Sequence, residues 1–397
     1  TFAAFALPTV WPRSTFRNYS ARRRGGISPL VRQLGKRIWT HRVKAKLASC
    51  PTIAIRADGS RSVGMGHVMR TLSIAEALRV AGAHVLYVCA DKQPKEIIES
   101  RGFEVLVLET DPANLMGEFQ RLSLVLRDID AQFVFVDSFD ATDSYFESVR
   151  ALCPVGSFAF GRKFTRGLDL VVSYLPSSDE QWLKDRFGRD GIALLFGARY
   201  VPARREFLDM NKRSFANYVK SVLIVAGGSD QLGMCARILE KLQGDSFWSA
   251  IEKHVVVGPT SGCRNKVLSL AEDDASVFVH ESVRDMASLM SECDIAITAC
   301  GHSVYELALC RVPMVAYATS ADQAENGFVP GIMEFIGDIR SDLDAGTDKI
   351  CASAHSLVVD ASRRAAQISA ASTLGVDGRG AERIAKQILD IAQRGPK

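Results

Sequence analysis

The chain has 397 residues, of which 47% are hydrophobic, and a formal net charge of +4. That size and composition suit two packed domains and exclude a disordered or low-complexity protein. No apolar run approaches the roughly 18–20 residues of a membrane helix; the longest, HVLYVCA (84–90) and VLIVA (222–226), are strand-sized.

The charge is unevenly placed. Residues 1–50 hold eight Arg, three Lys and no acid, so the rest of the chain, with 38 basic and 45 acidic residues, is at −7. A basic, acid-free leader on an acidic body reads as an organellar targeting segment, with the mitochondrial matrix as the expected compartment, or as an arm that neutralises RNA phosphates. The plainer alternative is an added leader, with a cytoplasmic protein behind it. On the arm reading, Arg22, Arg23, Arg24, Lys36, Arg37, Arg42, Lys44 and Lys46 form the contact set for RNA or an acidic partner protein. Val31, Leu34, Ile38 and Trp39 fall on one side of a helix if 31–47 folds as one. Nine cysteines stand singly with no CxxC pair. That points to a reducing compartment and away from a structural zinc site.

The body opens with a strand over 52–57, a Gly-punctuated turn and a helix from about 67 to 81. Strands follow at 84–90, 103–108 and 132–137, with helices near 94–101 and 114–129 between them. Strands that are apolar on both faces, alternating with helices, predict a parallel sheet covered on both sides. Weaker strands are expected near 155–159, 169–173 and 192–195. The strand–Gly–helix pattern then restarts at SVLIVAGGSD (221–230), with a helix at 231–242. Strands at 254–258, 276–280, 294–300 and 313–318 follow, helices at 284–291 and 303–310 lie between them, and the chain closes on a helix at 378–393. Two such series predict two Rossmann-like domains facing each other across a cleft. The expected boundaries are 1–50 (arm), 51–215 (first half), 216–330 (second half) and 331–397 (C-terminal helical segment).

Two turns carry the candidate chemistry. In IRADGSRSVGMGHVMR (55–70), Gly64 and Gly66 let main-chain N–H groups approach an anion at a helix start. His67 begins that helix as a candidate proton acceptor, with Asp58 and Arg70 around it. In ITACGHSVYELALCRVPMV (297–315), Gly301 makes the turn and Ser303 opens a helix suited to phosphate oxygens. Glu306, one turn in, is placed to accept hydrogen bonds from ribose hydroxyls. Gln323 and Asn326 in ADQAENG (321–327) add sugar hydrogen-bonders, and Gly227, Gly228 and Ser229 make a third Gly turn. The DxD at Asp128 to Asp130 precedes its strand, the wrong side for a metal–diphosphate site. No metal and no cofactor is expected.

These segments resemble the PseG family, the UDP-2,4-diacetamido-2,4,6-trideoxy-β-L-altropyranose hydrolases, which are similar in turn to MurG-type glycosyltransferases of the GT-B fold. The resemblance is carried by 55–78, VFVDSF (134–139), LLFGARYVPARREF (194–207), 222–230, the Glu306 stretch and VDGRGAERIAKQIL (376–389), in order, with no counterpart for 1–50. It implies an α/β protein of GT-B architecture and metal-independent attack of water on the anomeric carbon of a UDP-sugar. His67 then corresponds to the base, Glu306 and the Gly301–Ser303 turn to the UDP site, and Gln323 to a residue near the sugar or diphosphate. The chain departs from the family pattern at Phe139, where a tyrosine is usual, at AFG (159–161), at SYLP (173–176), and at His302 and Tyr305. Each change removes a polar group from the cleft wall or fills it. Two further readings therefore stand beside the hydrolase. One is an eroded body serving an organellar ribonucleoprotein such as the mitochondrial ribosome, with rRNA and ribosomal or assembly proteins as partners. The other is a GT-B glycosyltransferase.

Overall fold

The structure, a computed structural model, describes residues 50–394 apart from 60–63, 160–163, 165, 175–179, 189–190, 209 and 211–214. The basic arm with its contact set and its expected helix lies outside the described residues, as do positions 160–161 and 175–176 of the departing cleft wall. Everything below belongs to one compact unit. Among the described residues, no helix is long and apolar enough to cross a membrane.

Strand β1 (Thr52–Ala57) is buried on both faces, as its run of apolar residues requires. Helix α1 (Gly66–Val80) follows it, then β2 (His84–Cys89), α2 (Lys95–Ser100), β3 (Glu104–Val107), α3 (Leu115–Asp128) and β4 (Phe133–Asp137). The half is completed by α4 (Asp143–Arg150), β5 (Val155–Phe158), β6 (Leu170–Ser173), α5 (Glu180–Phe187) and β7 (Ala193–Phe196). These strands form one parallel sheet in the order β3-β2-β1-β4-β5-β6-β7.

Residues 198–207 then lead into a second series. It runs β8 (Ser221–Val225), α6 (Met234–Gln243), β9 (Glu252–Val257), α7 (Arg264–Glu272), β10 (Val277–Glu281), α8 (Met286–Glu292), β11 (Ile295–Ala299), α9 (Ser303–Cys310), β12 (Met314–Ala318), α10 (Ala321–Asn326) and β13 (Met333–Asp338). The second parallel sheet has the order β10-β9-β8-β11-β12-β13. The second half thus runs past the expected boundary at 330, because β13 pairs with β12 as an edge strand. Its half-exposed residues, with Glu334 and Gly337 inside the run, hide it from an apolar-run reading.

Three helices close the chain: α11 (Leu343–Val359), α12 (Ala361–Thr373) and α13 (Gly380–Ala392). The first packs on α6 and β12 of the second half, whereas α13 returns to the first half and lies along α1. The return is tight. A Cβ on Gly380 would stand 2.0 Å from the Val201 carbonyl oxygen. Gly380→Ala is therefore expected to cost about 1–3 kcal/mol, the usual range for overpacking, seen as a lower urea midpoint at unchanged slope. An unaltered midpoint would show that the helix shifts without penalty.

One apolar cluster contains residues of both halves, among them Ile53 and Phe135 from the first sheet and Leu223, Ala296 and Tyr305 from the second half. The halves are packed on each other.

Candidate functional site

Chain order reverses direction between β1 and β4 in one sheet and between β8 and β11 in the other. The carboxyl ends of strands flanking such a reversal form a natural crevice, because the following helices diverge to opposite faces. Both candidate turns sit there, one on each half.

On the first half, His67 is 4% exposed, one residue into α1. Its Nδ1 lies 3.2 Å from the main-chain oxygen of Asp137 and 3.7 Å from that residue's carboxylate Oδ1. A carbonyl only accepts, so Nδ1 carries a proton, and in the neutral ring Nε2 then holds the lone pair. The Phe139 ring packs at 4.4 Å from the imidazole and remains 44% exposed, a flat apolar wall where a hydroxyl was the usual pattern. Arg70, one turn on, clamps the Asp137 carboxylate with Nε–Oδ2 and Nη2–Oδ1 both at 2.5 Å. Burial opposes its charge, but Asp137, Tyr174 and, from the second half, Asp322 hold it firmly protonated.

Asp58 belongs elsewhere. Its Oδ1 accepts the Ala90 N–H at 2.7 Å and its Oδ2 pairs with Arg56 at 2.6 Å. It thereby closes a buried charge network under β1, and the expectation of a cleft group at 58 is corrected accordingly. Gly64 has φ +81°, a left-handed conformation that costs glycine little, and Gly66 starts α1. Its N-cap residue, Met65, makes no side-chain capping hydrogen bond.

The opposing turn of the second half touches this one. A Cβ on Gly228 would meet the Cβ of Met65 at 3.0 Å, and one on Gly64 would lie 3.9 Å from Ser229 Oγ. Gly227 turns with φ +80°. The next helix start, that of α6, is already capped, since Asp230 accepts from the N–H groups of Met234 and Cys235 at 2.7 and 3.0 Å. Gly301 is exposed and Ser303 half-buried at the start of α9.

Glu306 is 3% exposed, and both of its oxygens are engaged. Arg204, from the segment that joins the halves, donates Nε–H to Oε1 and Nη2–H to Oε2, each at 2.8 Å. The expected open carboxylate is instead an ion pair. Gln323 turns inward as well, its Oε1 accepting from the Thr319 N–H and hydroxyl at 2.8 and 3.0 Å. Asn326 ends α10, its side chain outside the described atoms. Between the halves, Tyr174 meets Tyr305 edge-on at 5.5 Å and His302 at 6.0 Å.

The crevice thus brings together His67, Arg70, the two Gly turns and the α9 start, and it sets Asp58 and Gln323 into local structure. Sequence reading missed Asp137 as the partner of His67 and Arg70, although an Asp at the carboxyl end of a central apolar strand is a usable signal. It also missed Arg204, for which no sequence spacing points to Glu306, about a hundred positions away.

The Arg204–Glu306 pair has a pH signature. Burial pushes the Glu306 carboxyl up, but the charge and hydrogen bonds of Arg204 outweigh burial and hold it below its ordinary value. Such a group contributes stability above its unfolded pKa, near 4.3, and loses it as pH falls through the folded value. Thermal unfolding below about pH 4.3 is expected to show that loss in the parent. In Arg204→Met the carboxylate is buried without its counter-ion, so its pKa rises and acidification should relieve part of the damage. Parallel acid limbs for the two proteins would show that the pair contributes nothing.

Two parallel-sheet Rossmann-like halves, with facing reversal points and a C-terminal helix that returns to the first half, define an α/β protein of the GT-B fold. Solved structures agree. Acinetobacter baumannii MurG superimposes over 86% of this chain and 99% of its own with a TM-score of 0.58 at 14% identity. Staphylococcus aureus MnaA, solved with UDP, covers 86% of this chain and 97% of its own at TM-score 0.60 and 13% identity. At such identities the likeness is one of fold. No family model matches the chain. Among curated proteins, an uncharacterized protein of Methanocaldococcus jannaschii is 28% identical over 287 residues, 69% of this chain, which spans only 57% of that relative. The spore coat polysaccharide biosynthesis protein SpsG of Bacillus subtilis is 24% identical over 276 residues, 66% of this chain and 75% of its own length.

Proposed function

We propose that this chain is a PseG-like hydrolase that binds a UDP-sugar between the two reversal points. Water attacks the anomeric carbon as the bond from that carbon to the diphosphate oxygen breaks. His67 Nε2 takes the water proton, and UDP leaves with the bonding electrons. The reading rests on one observation: the Asp137 main-chain oxygen fixes the His67 tautomer, so that Nε2 presents the lone pair a base needs. The start of α1 and the Gly64–Gly66 turn supply main-chain N–H groups for diphosphate charge. Glu306 can still take ribose hydroxyls, because each carboxylate oxygen has a second lone pair beyond the one given to Arg204. The resemblance to SpsG, named for spore coat polysaccharide biosynthesis, supports a role in carbohydrate metabolism.

Calorimetry with UDP and a UDP-release assay over a panel of UDP-sugars test this reading. Micromolar UDP binding with turnover of one sugar nucleotide is the expected result; binding without release to water, but with transfer to an added alcohol, would favour the glycosyltransferase. No UDP binding at millimolar concentration would overturn both.

Two observations favour the non-catalytic reading: Arg204 already occupies Glu306, and Tyr305 packs against Tyr174 between the halves. In that case the −7 body presents a protein surface and the basic arm binds rRNA in a mitochondrial particle. Deleting 1–50 should then abolish co-sedimentation with ribosomal subunits, and binding of the intact chain should weaken steeply with salt. Retention after the deletion would leave the arm as an address tag.

A further inference from the structure

His302 stands at the N-cap of α9, and its Nε2 lies 3.2 Å from the Pro202 carbonyl oxygen. That oxygen only accepts, so Nε2 is protonated and Nδ1 carries the lone pair. Nδ1 is buried and has no hydrogen-bond partner among the described residues. One turn further along α9, Tyr305 is 3% exposed, and its hydroxyl likewise has no partner among the described residues. The two rings are 6.2 Å apart, and both adjoin Tyr174, which interacts with Arg70 of the opposite wall. Native interiors seldom leave two such atoms unsatisfied side by side, because each has lost its water without compensation.

We propose that His302 Nδ1 and Tyr305 Oη form a specificity-determining pair that binds one hydroxyl of the sugar moiety. The chemistry selects the group. Nδ1 accepts only, so the ligand atom must donate, which excludes a phosphate oxygen at neutral pH. The phenol either donates or accepts. A sugar hydroxyl does both at a single atom, donating to Nδ1 and accepting from Tyr305. Burial lowers the pKa of His302 against the pull of Glu306, with Arg70 and Arg204 adding to the effect, which keeps the imidazole neutral. The start of α9 is therefore a sugar subsite, and the diphosphate belongs to the Gly64–Gly66 turn and α1. This inference rests on the nucleotide-sugar reading and names which part of the ligand each wall takes.

The test uses the full chain with UDP and UDP-N-acetylglucosamine as probes, measured by calorimetry. Tyr305→Phe and His302→Phe keep ring volume and remove the polar atoms. Each is expected to weaken UDP-N-acetylglucosamine about tenfold, the scale of one hydrogen bond to a buried group, with UDP affinity unchanged. His302→Gln, which keeps an acceptor, should recover most of the loss. Nitrogen NMR of the parent should show the neutral Nε2–H tautomer of His302, with Nδ1 shifting when the sugar nucleotide binds and not when UDP binds. Equal losses on both probes would overturn the pair's assignment to the sugar, as would a sugar nucleotide bound no differently from UDP by parent and variants, which would mean a buried water only. A parent that binds neither probe would defeat the nucleotide reading itself, an outcome separate from UDP binding with no effect of the variants.

Discussion

His67→Ala is expected to slow release of UDP from its sugar nucleotide by about 10²- to 10⁴-fold, the usual contribution of a positioned general base, while leaving UDP affinity nearly unchanged. On the proposed reading His67 takes the proton of the attacking water and binds no part of the nucleotide, so the loss should fall on kcat. Asp137→Asn separates geometry from charge. The main-chain oxygen that orients Nδ1 remains, whereas the carboxylate that Arg70 grips at 2.5 Å is neutralised. A milder loss than that of His67→Ala is expected. If His67→Ala turns over at the parent rate, the proton goes to another group and the hydrolytic assignment of His67 fails. Single-turnover kinetics with saturating sugar nucleotide is the measurement, since it isolates bond cleavage from UDP departure.

The second large effect concerns stability. Glu118→Ala should destabilise the fold by about 3–5 kcal/mol, the range for breaking a buried ion pair on one side. Arg56 is fully buried in β1 and gives Nε to Glu118 Oε1 at 2.7 Å and Nη2 to Oε2 at 2.6 Å. Tyr145 donates to the same carboxylate at 2.9 Å. Removing Glu118 strands a guanidinium, with only Asp58 still against it, and a phenol in the interior. Urea unfolding followed by tryptophan fluorescence and circular dichroism gives the difference. A loss under about 1 kcal/mol, as for an exposed pair, would mean that water enters and solvates Arg56. A double variant, Arg56→Met with Glu118→Leu, should recover much of the loss, because an apolar pair needs no compensation there.

Much of the fold was legible in the chain itself. Runs such as FVFVD and SVLIV are apolar on both faces, a pattern that only a covered parallel strand accommodates, and the Gly turns after β1, β8 and β11 mark where each strand hands over to a helix. Local chemistry therefore determined the two-half α/β plan, the position of His67 at a helix start and the restart of the pattern at Ser221. It did not reveal β13, whose half-exposed edge position calls for no apolar run. The tertiary structure alone decided what the polar groups do. Asp58 lies close in sequence to Gly64, Gly66 and His67, yet its oxygens go to the Ala90 N–H after β2 and to Arg56 of β1. Glu306 has the helix position of a ribose acceptor, yet Arg204 reaches it from the segment between the halves. His302 and Tyr305 look in sequence like bulk in the wrong place, and only their packing beside Tyr174 shows two buried polar atoms with no partner among the described residues. The reason is the range of the interactions. Strand and helix patterns follow from neighbours one to four residues apart, whereas a buried charge or lone pair takes whichever partner the packing of two domains delivers.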